Sequence, residues 1–284
     1  MKVDDVTGVT QPARWTDFPK LGRVCRAGLA TRGDSELTPD DIALAIEHGV
    51  NYLNWCGLGH EDGLVEAIRS LGKTRKDVFV AVQFLARTAD DARRELNSIL
   101  ESLRTDYVDV LTYYYVEHVD EWAEIAGAGG ASEVVRKAKA SGVVRSIGLT
   151  SHQRPLAASI AGRGEIDMIM VRYNAAHRGA EQDVFPVTRQ LGIPVVAYTA
   201  LRWGALMNVT PDDPTGFCAA RAPDWYRFVL MNPDVTVGIM APQTSAELRE
   251  DLEVPSAWRG LNTRELEDLR AHGARVRKHA GRFP

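Results

Sequence analysis

The sequence predicts a (β/α)8 barrel, in which eight parallel strands are surrounded by helices. Short apolar runs alternate with helix-period segments throughout the 284 residues, and no long polar linker divides the chain. An open doubly wound sheet would favour a glycine-rich phosphate loop after an early strand, and the chain has no GxGxxG or GxxxxGK[ST] motif. Eight alternations with short loops therefore predict one barrel domain over residues 1–284, closed by right-handed crossovers.

Eight runs are predicted as strands because each is short and apolar, as suits a parallel strand that is buried on both faces. They are Val24–Leu29, Val50–Cys56, Val78–Gln83, Val108–Tyr113, Val144–Leu149, Met168–Tyr173, Pro194–Thr199 and Thr236–Met240.

The helices are predicted from capping residues and apolar spacing. Thr38 is a suitable N-cap, followed by Pro39 at the first helical position and by Asp40 and Asp41 in the first turn. The segment Ala89–Leu103 repeats leucine and isoleucine at helical spacing. Further helices are predicted at about 132–140, 155–161, 182–190, 224–230 and 245–252, with a polar C-terminal helix near 263–278.

Composition and charge exclude several classes of function. The chain is 45% hydrophobic and 25% charged, and its net charge of −4 comes from interspersed residues, which argues against a nucleic-acid surface. Cys25, Cys56 and Cys218 are far apart and show no metal-ligand spacing, so we expect no metal site. The polar, acidic N-terminus and the lack of a long apolar stretch predict a cytoplasmic protein that does not enter a membrane.

Six segments resemble, in the correct order, those of aldo-keto reductases. Trp15–Leu29 resembles the family's hairpin and first strand, and residues 49–64 resemble its Gly-x-Asn-x-Phe-Asp-Thr-Ala strand and the following loop. Thr105–Leu111 is the most specific match, to the fourth-strand signature. The fifth, sixth and seventh strands are matched by Ser146–Ser151, Val171–Asn174 and Val196–Leu201. The resemblance covers nearly the whole chain and implies the same barrel.

The resemblance also implies where a catalytic tetrad of Asp, Tyr, Lys and His would lie. Those positions hold Asn54, Gly59, Gln83 and Tyr114, respectively. In the family, a Lys held by an Asp lowers the pKa of the Tyr that protonates the alkoxide. Neutral amides cannot form that ammonium–carboxylate pair, and glycine has no proton to donate. The sequence therefore predicts unusual or weak redox chemistry.

Two groups could replace the missing acid or base. His60 follows the vacant Tyr position and titrates near neutral pH, although the motif also suits a polar loop that begins a helix. Tyr114 offers a phenol, although Tyr113–Tyr115 also suits a packed strand end. Because strand side chains alternate, we expect Tyr114 alone of the three to point inward. Asn54 and Gln83 complete the predicted catalytic set.

Substrate contacts are predicted at two further positions. Arg172 shares a strand face with Met170, so its guanidinium either binds an anionic group on the substrate or forms a structural ion pair. Trp55 is expected to line the pocket, whereas Cys56 is interpreted as core filling.

The resemblance leaves the cofactor open among NAD, NADP and none. It implies nicotinamide or adenine contacts for four residues, which are Thr150, Ser151, Tyr198 and Glu250. Met170 replaces a Gln that binds the carboxamide. Ala241 and Glu247 stand where NADPH-specific members have Lys and Arg, so the anchors for a 2′-phosphate are missing.

The leading functional hypothesis is a nicotinamide-dependent oxidoreductase that acts on a small carbonyl or alcohol. Two alternatives stay open. One is a lyase, dehydratase or isomerase that works through His60, Tyr114 and Arg172. The other is a catalytically silent binding or regulatory subunit, because the barrel hosts many functions. In each case the expected partner is a small molecule, anionic if Arg172 binds it.

Overall fold

Eight parallel strands close into a barrel, as the sequence predicts. The computed structural model describes residues 11–31, 34–56, 62–279 and 281. The strands in these ranges are β1 Trp15–Phe18, β2 Gly22–Cys25, β3 Ala27–Thr31, β4 Tyr52–Trp55, β5 Phe79–Phe84, β6 Val108–Tyr113, β7 Val144–Thr150, β8 Met168–Arg172, β9 Val195–Tyr198 and β10 Val237–Met240. Strands β1 and β2 form an antiparallel hairpin. Strands β3 to β9 follow in order, and β10 closes the barrel by pairing with both β9 and β3.

Helices connect the strands and cover the barrel. They are α1 Pro39–Glu47, α2 Gly63–Ser70, α3 Ala89–Leu103, α4 Val119–Ala126, α5 Ala131–Ala140, α6 Arg154–Ala161, α7 Ala180–Asp183, α8 Phe185–Leu191, α9 Ala222–Leu230, α10 Ser245–Asp251, α11 Glu253–Ser256 and α12 Thr263–His279, with 3-10 turns at Gly72–Asp77 and Ala205–Met207. Thr38 caps α1 as predicted, and its hydroxyl accepts a hydrogen bond from the Asp41 amide at 3.2 Å. Of the helices described, none has the length and apolar character needed to cross a membrane.

Some predicted boundaries are wrong. The run Val24–Leu29 contains the end of β2 and the start of β3, because Arg26 interrupts it. The buried guanidinium of Arg26 donates to the carbonyl oxygens of Leu230 and Val235 at 2.9 and 2.8 Å. The helix predicted at 182–190 is two short helices, and Val119–Ala126 is a helix that the pattern did not predict.

The hairpin closes the N-terminal end of the barrel. Phe18 of β1 stacks on Tyr52 of β4 with ring centroids 6.0 Å apart. Phe18 and Val24 join an apolar cluster inside the barrel that includes Phe79 and Val237. A second, larger cluster fills the layer between barrel and helices. With the N-terminal end filled, the C-terminal ends of the strands are left to form a site.

A buried carboxylate ties three neighbouring strands together. Asp109 of β6 is fully buried and accepts hydrogen bonds from the Arg75 guanidinium at 2.8 Å and the Val80 amide of β5 at 2.9 Å. Its other oxygen accepts from Arg145 of β7 at 3.0 Å. Both guanidinium groups also lie 4.2 Å from the centroid of the Tyr107 ring. Asp109 therefore fixes β5, β6 and β7 relative to one another.

We expect Asp109→Asn to lower the free energy of unfolding by about 3–5 kcal/mol, because it leaves buried guanidinium charge without its counter-charge. Chemical denaturation followed by circular dichroism measures the loss. The control is Asp106→Asn, which changes an exposed carboxylate in the preceding turn and should stay within about 0.5 kcal/mol of wild type. Equal effects of the two substitutions would contradict the anchoring role of Asp109.

Candidate functional site

A cavity of about 710 Å³ lies at the C-terminal end of the barrel. Strand ends and the loops after them supply its lining, which includes Ala30, Asn54, Cys56, Gln83, Tyr114, Tyr115, Thr150, Met170, Tyr198, Trp203, Tyr226, Ile239, Ala241, Glu247, Glu250 and Asp251. Six of the residues predicted as site residues are thus brought together, namely Asn54, Gln83, Tyr114, Thr150, Tyr198 and Glu250.

Strand register places the deepest of these side chains at neighbouring positions. Thr150 pairs with Met170 across β7 and β8, and Ala30 pairs with Asn54 across β3 and β4. Because side chains alternate along a strand, paired residues of neighbouring strands point to the same side of the barrel. Asn54 and Gln83 lie on adjacent strands and meet on this inner side.

A chain of neutral amides crosses the floor of the cavity. Gln83 Nε2 donates to Asn54 Oδ1 at 3.1 Å and lies 3.6 Å from Met170 Sδ. Asn54 Nδ2 in turn donates to Cys56 Sγ at 2.8 Å. With the Gln83 NH2 group facing these two acceptors, the chain runs from Gln83 through Asn54 to the Cys56 sulfur. This amide chain makes the floor polar without placing a charged side chain in it.

Two polar atoms beside this chain have no hydrogen-bond partner within the described ranges. They are Gln83 Oε1 and Thr150 Oγ1, on residues that are only 2% and 1% exposed. Burial of an unbonded polar group is costly, and such groups at a cavity wall are typical of positions that a ligand satisfies. One of these atoms is an acceptor, and the other is a hydroxyl that can donate.

Aromatic rings form one wall of the cavity. The rings of Tyr114 and Tyr115 stack at 3.9 Å, and His152 packs on Tyr115 at 4.4 Å. Tyr115 has a φ of 48°, in the left-handed region, and this turns its ring onto the cavity side. Arg87 holds this backbone by donating to the carbonyl oxygens of Tyr114 and Tyr115 at 2.8 and 3.2 Å. The expectation that only Tyr114 points inward is therefore wrong, because the positive φ interrupts strand alternation.

The tyrosines of the cavity act as neutral hydrogen-bonding groups. Burial raises the pKa of Tyr114, and the neighbouring Tyr115 hydroxyl raises it further. Burial also raises the pKa of Tyr198, although nearby Arg172 opposes this. Both phenols thus stay protonated at neutral pH and cannot serve as bases.

The β10 end of the cavity is acidic. Glu247, Glu250 and Asp251 line it, and Lys, Arg and His do not occur among the lining residues that the structure describes. Burial raises the pKa of Asp251 well above its usual range, and Asp251 lies against the buried Tyr226 hydroxyl. Glu250 forms an ion pair with Arg221 at 3.4 Å. Anionic groups of a ligand are therefore disfavoured at this end.

Other predicted residues lie elsewhere. Trp55 is buried in the layer between barrel and helices, so the prediction that it lines the pocket is wrong. Strand alternation explains this, because its neighbour Asn54 occupies the inward position. Ser151 does not line the cavity, and its hydroxyl accepts from the Gln153 amide at 3.0 Å. Arg172 ends β8 half-buried near Tyr198 and Tyr115, outside the cavity lining.

Two of the predicted positions fall outside the described part of the chain. His60 and Gly59 lie outside the described residues, so the catalytic role of His60 stays a prediction. No group of three metal-ligating side chains is found within the described part of the chain.

Sequence reasoning missed three features of the site. Tyr115 depends on a backbone conformation that no local pattern indicates. His152 packs on Tyr115 and lies 3.1 Å from the Glu117 carboxylate, which joins residues of two different loops. Asp251 follows Glu247 by four residues and so shares its helix face, a signal that could have indicated an acidic cavity end.

Comparisons with known proteins agree with this geometry. The sequence model of the Aldo/keto reductase family matches residues 27–224. A Bacillus subtilis protein named uncharacterized oxidoreductase YrpG is 23% identical, over 81% of this chain and 87% of its own length. An Escherichia coli NADH-specific methylglyoxal reductase is 26% identical, but only over 44% of this chain and 37% of its own length. A Klebsiella pneumoniae aldo-keto reductase in complex with NADPH superposes with a TM-score of 0.74 at 18% identity, over 92% of this chain and 95% of that one.

We expect Thr150→Val to leave the free energy of unfolding unchanged or to raise it by up to about 1 kcal/mol. The substitution removes an unbonded buried hydroxyl and keeps the shape of the side chain. Thr188→Val is the matched control, because Thr188 is equally buried but its hydroxyl donates to the carbonyl oxygens of Val184 and Phe185. The control should lose about 1 kcal/mol in the same denaturation experiment. A larger loss at Thr150 than at Thr188 would show that the Thr150 hydroxyl is satisfied in the unliganded protein.

Proposed function

Because this chain belongs to the aldo/keto reductase family, we propose that it is a nicotinamide-dependent oxidoreductase for a small carbonyl or alcohol. We further propose that it uses the unphosphorylated dinucleotide and that its proton chemistry departs from the family tetrad. The acidic lining of the cavity supports the proposed choice of cofactor. The neutral amide chain on its floor supports the proposed difference in proton chemistry.

The absence of cationic side chains in the described lining supports NADH over NADPH. A 2′-phosphate near β10 would meet Glu247 and would have Ala241 in place of a cation. Arg221, which is outside the lining, is already paired with Glu250 and Glu253. Each missing charge-assisted hydrogen bond costs about 1.5–3 kcal/mol. The ribose hydroxyls of NADH, by contrast, can donate to carboxylates. Among the relatives, the Escherichia coli protein is NADH-specific, whereas the Klebsiella protein was solved with NADPH, so the family accommodates both cofactors.

The cavity could hold the nicotinamide without the contacts used by other members. Thr150 Oγ1 and Gln83 Oε1 offer a donor and an acceptor, which match the oxygen and the NH2 of a carboxamide. Tyr198 lines the same cavity and provides an aromatic face. Met170 pairs with Thr150 across β7 and β8 and makes no strong hydrogen bond. In this proposal Gln83 Oε1 is therefore the acceptor for the carboxamide NH2 group.

The proton chemistry is weak because the described floor contains no ammonium or carboxylate. Asn54 and Gln83 bond to each other as neutral amides and cannot lower the pKa of a phenol through charge. Tyr114 stays protonated and can donate a hydrogen bond to a carbonyl oxygen, but giving up its proton is costly in this buried setting. Hydride transfer would then rely on polarisation of the carbonyl more than on proton donation.

The alternative functions differ from the oxidoreductase proposal in whether a nicotinamide cofactor is needed. A lyase, dehydratase or isomerase on this barrel needs no nicotinamide, and neither does a silent binding subunit. Tight binding of NADH contradicts these cofactor-free alternatives, whereas no binding of either dinucleotide contradicts the oxidoreductase proposal.

We expect the protein to bind NADH at least about tenfold more tightly than NADPH, which corresponds to 1.4 kcal/mol. Glu247→Arg should tighten NADPH binding by about tenfold or more, because a guanidinium replaces a carboxylate beside the 2′-phosphate. Titration followed by nicotinamide fluorescence measures both constants.

The control for this experiment is Glu267→Arg, the same charge reversal at an exposed position of α12 outside the cavity. It should leave the preference for NADH unchanged. A similar gain in NADPH affinity in this control would show that the gain in Glu247→Arg comes from the overall charge of the protein and not from a contact in the cavity. Equal affinity of the wild-type chain for both dinucleotides would contradict the proposed preference.

We expect reduction of propanal by NADH to be about 10²–10⁴-fold slower than in a family member with the intact tetrad, because general acid catalysis is typically worth that factor. Loss of NADH absorbance under matched conditions measures the rate. A rate equal to that of the reference enzyme would show that a strong proton donor exists in this chain.

A further inference from the structure

Cys56 occupies a position in the cavity that core filling does not explain. Its side chain lines the cavity and is partly exposed, whereas Cys25 is buried and Cys218 is exposed on the surface. The amide chain of the floor ends on its sulfur, with Asn54 Nδ2 donating at 2.8 Å. A hydrogen-bond donor that faces a sulfur stabilises the thiolate, which is the nucleophilic form.

The amide chain runs toward the Cys56 sulfur. Asn54 is fully buried, Gln83 donates to its carbonyl oxygen, and its NH2 group faces Cys56. Met170 Sδ lies 3.6 Å from the same Gln83 NH2 group and is a second, weak acceptor for it. Each amide polarises the next, which strengthens the bond to the sulfur.

We propose that Cys56 is a nucleophilic thiol that binds small aldehydes covalently and reversibly as a thiohemiacetal. Capture needs no dinucleotide, so it can succeed or fail independently of the proposed redox function.

The reaction is a simple addition. The Cys56 sulfur forms a bond to the aldehyde carbon, and the carbonyl π pair moves to the oxygen. The proton lost by the thiol is taken up by that oxygen, so the product is a thioether carbon that bears a hydroxyl group. No electrons are exchanged with an external oxidant or reductant.

Polar groups of the same cavity could bind the new hydroxyl group. Thr150 Oγ1 and Gln83 Oε1 have no partner within the described ranges and line the cavity with Cys56. Tyr114 is close enough that Cys56 contributes to the raised pKa of its phenol, after burial and Tyr115. A protonated phenol can donate to the oxygen as negative charge develops on it. The thiol therefore has both an activating donor and groups to receive the adduct.

The first test uses the wild-type chain and needs no variant. Iodoacetamide is added at pH 7, and the alkylation of each cysteine is followed by peptide mass spectrometry. Stabilising a thiolate raises its reaction rate by less than it raises the thiolate population, because the intrinsic nucleophilicity of the sulfur falls at the same time. We expect Cys56 to react at least about threefold faster than the more exposed Cys218, and propanal to slow Cys56 alone. Equal or slower reaction of Cys56, or no protection by propanal, would overturn the proposal.

The second test detects the adduct directly. The protein without dinucleotide is mixed with propanal labelled with ¹³C at the carbonyl carbon, and the carbon spectrum is recorded. A protein-bound sp³ carbon resonance is expected for wild type and for Cys218→Ser, and should be absent in Cys56→Ser. Persistence of this resonance in Cys56→Ser assigns the adduct to another group and refutes the proposal.

A third variant tests the role of the amide. Asn54→Asp keeps the size of the side chain but places a carboxylate where the donor was, which disfavours a thiolate. Alkylation of Cys56 should slow by threefold or more while that of Cys218 is unchanged. An unchanged Cys56 rate would show that Asn54 does not activate the sulfur.

Discussion

The geometry of the site depends on the buried carboxylate of Asp109. It binds groups from β5 and β7 as well as Arg75, and it lies near the N-terminal end of β6. The three strands that it joins carry Gln83, Thr150 and the residues before Tyr114 at their other ends. In a closed barrel, a strand cannot slide without breaking its pairing with both neighbours. Together with the backbone pairing of these strands, the Asp109 charge cluster therefore supports the spacing of Gln83, Tyr114 and Thr150 at the opposite ends.

Within that frame, the floor of the cavity is held together by neutral hydrogen bonds. Asn54 and Gln83 satisfy each other, and the donors that remain are directed to sulfur atoms of Cys56 and Met170. This arrangement avoids the cost of burying isolated charge. It also means that the floor, as far as the structure describes it, can orient and polarise a ligand but contributes no strong acid or base.

The outer parts of the cavity differ in character. One wall is the stacked pair Tyr114 and Tyr115, which a positive φ at Tyr115 and the bonds from Arg87 hold in place, and His152 packs behind it on Tyr115. The β10 end is acidic and ends on the buried Asp251. A ligand that fits this cavity has a planar, uncharged end toward the floor and hydroxyl groups toward β10. These surroundings are the basis of the proposed preference for NADH over NADPH.

The sequence alone determined the barrel, because eight buried apolar runs that alternate with helices have few other solutions. It also indicated that Asn54, Gln83, Tyr114, Thr150 and Tyr198 share a site, since all lie at or just after strand C-termini. Only the tertiary structure decided which other side chains line the cavity, because the alternation of side chains along a strand did not predict them correctly. A positive φ added Tyr115, strand pleating removed Trp55 from the pocket, and packing placed Arg172 outside the lining. The amide chain to the Cys56 sulfur also could not be predicted from the sequence, because its hydrogen bonds join residues of β4, β5 and β8 that are distant in sequence.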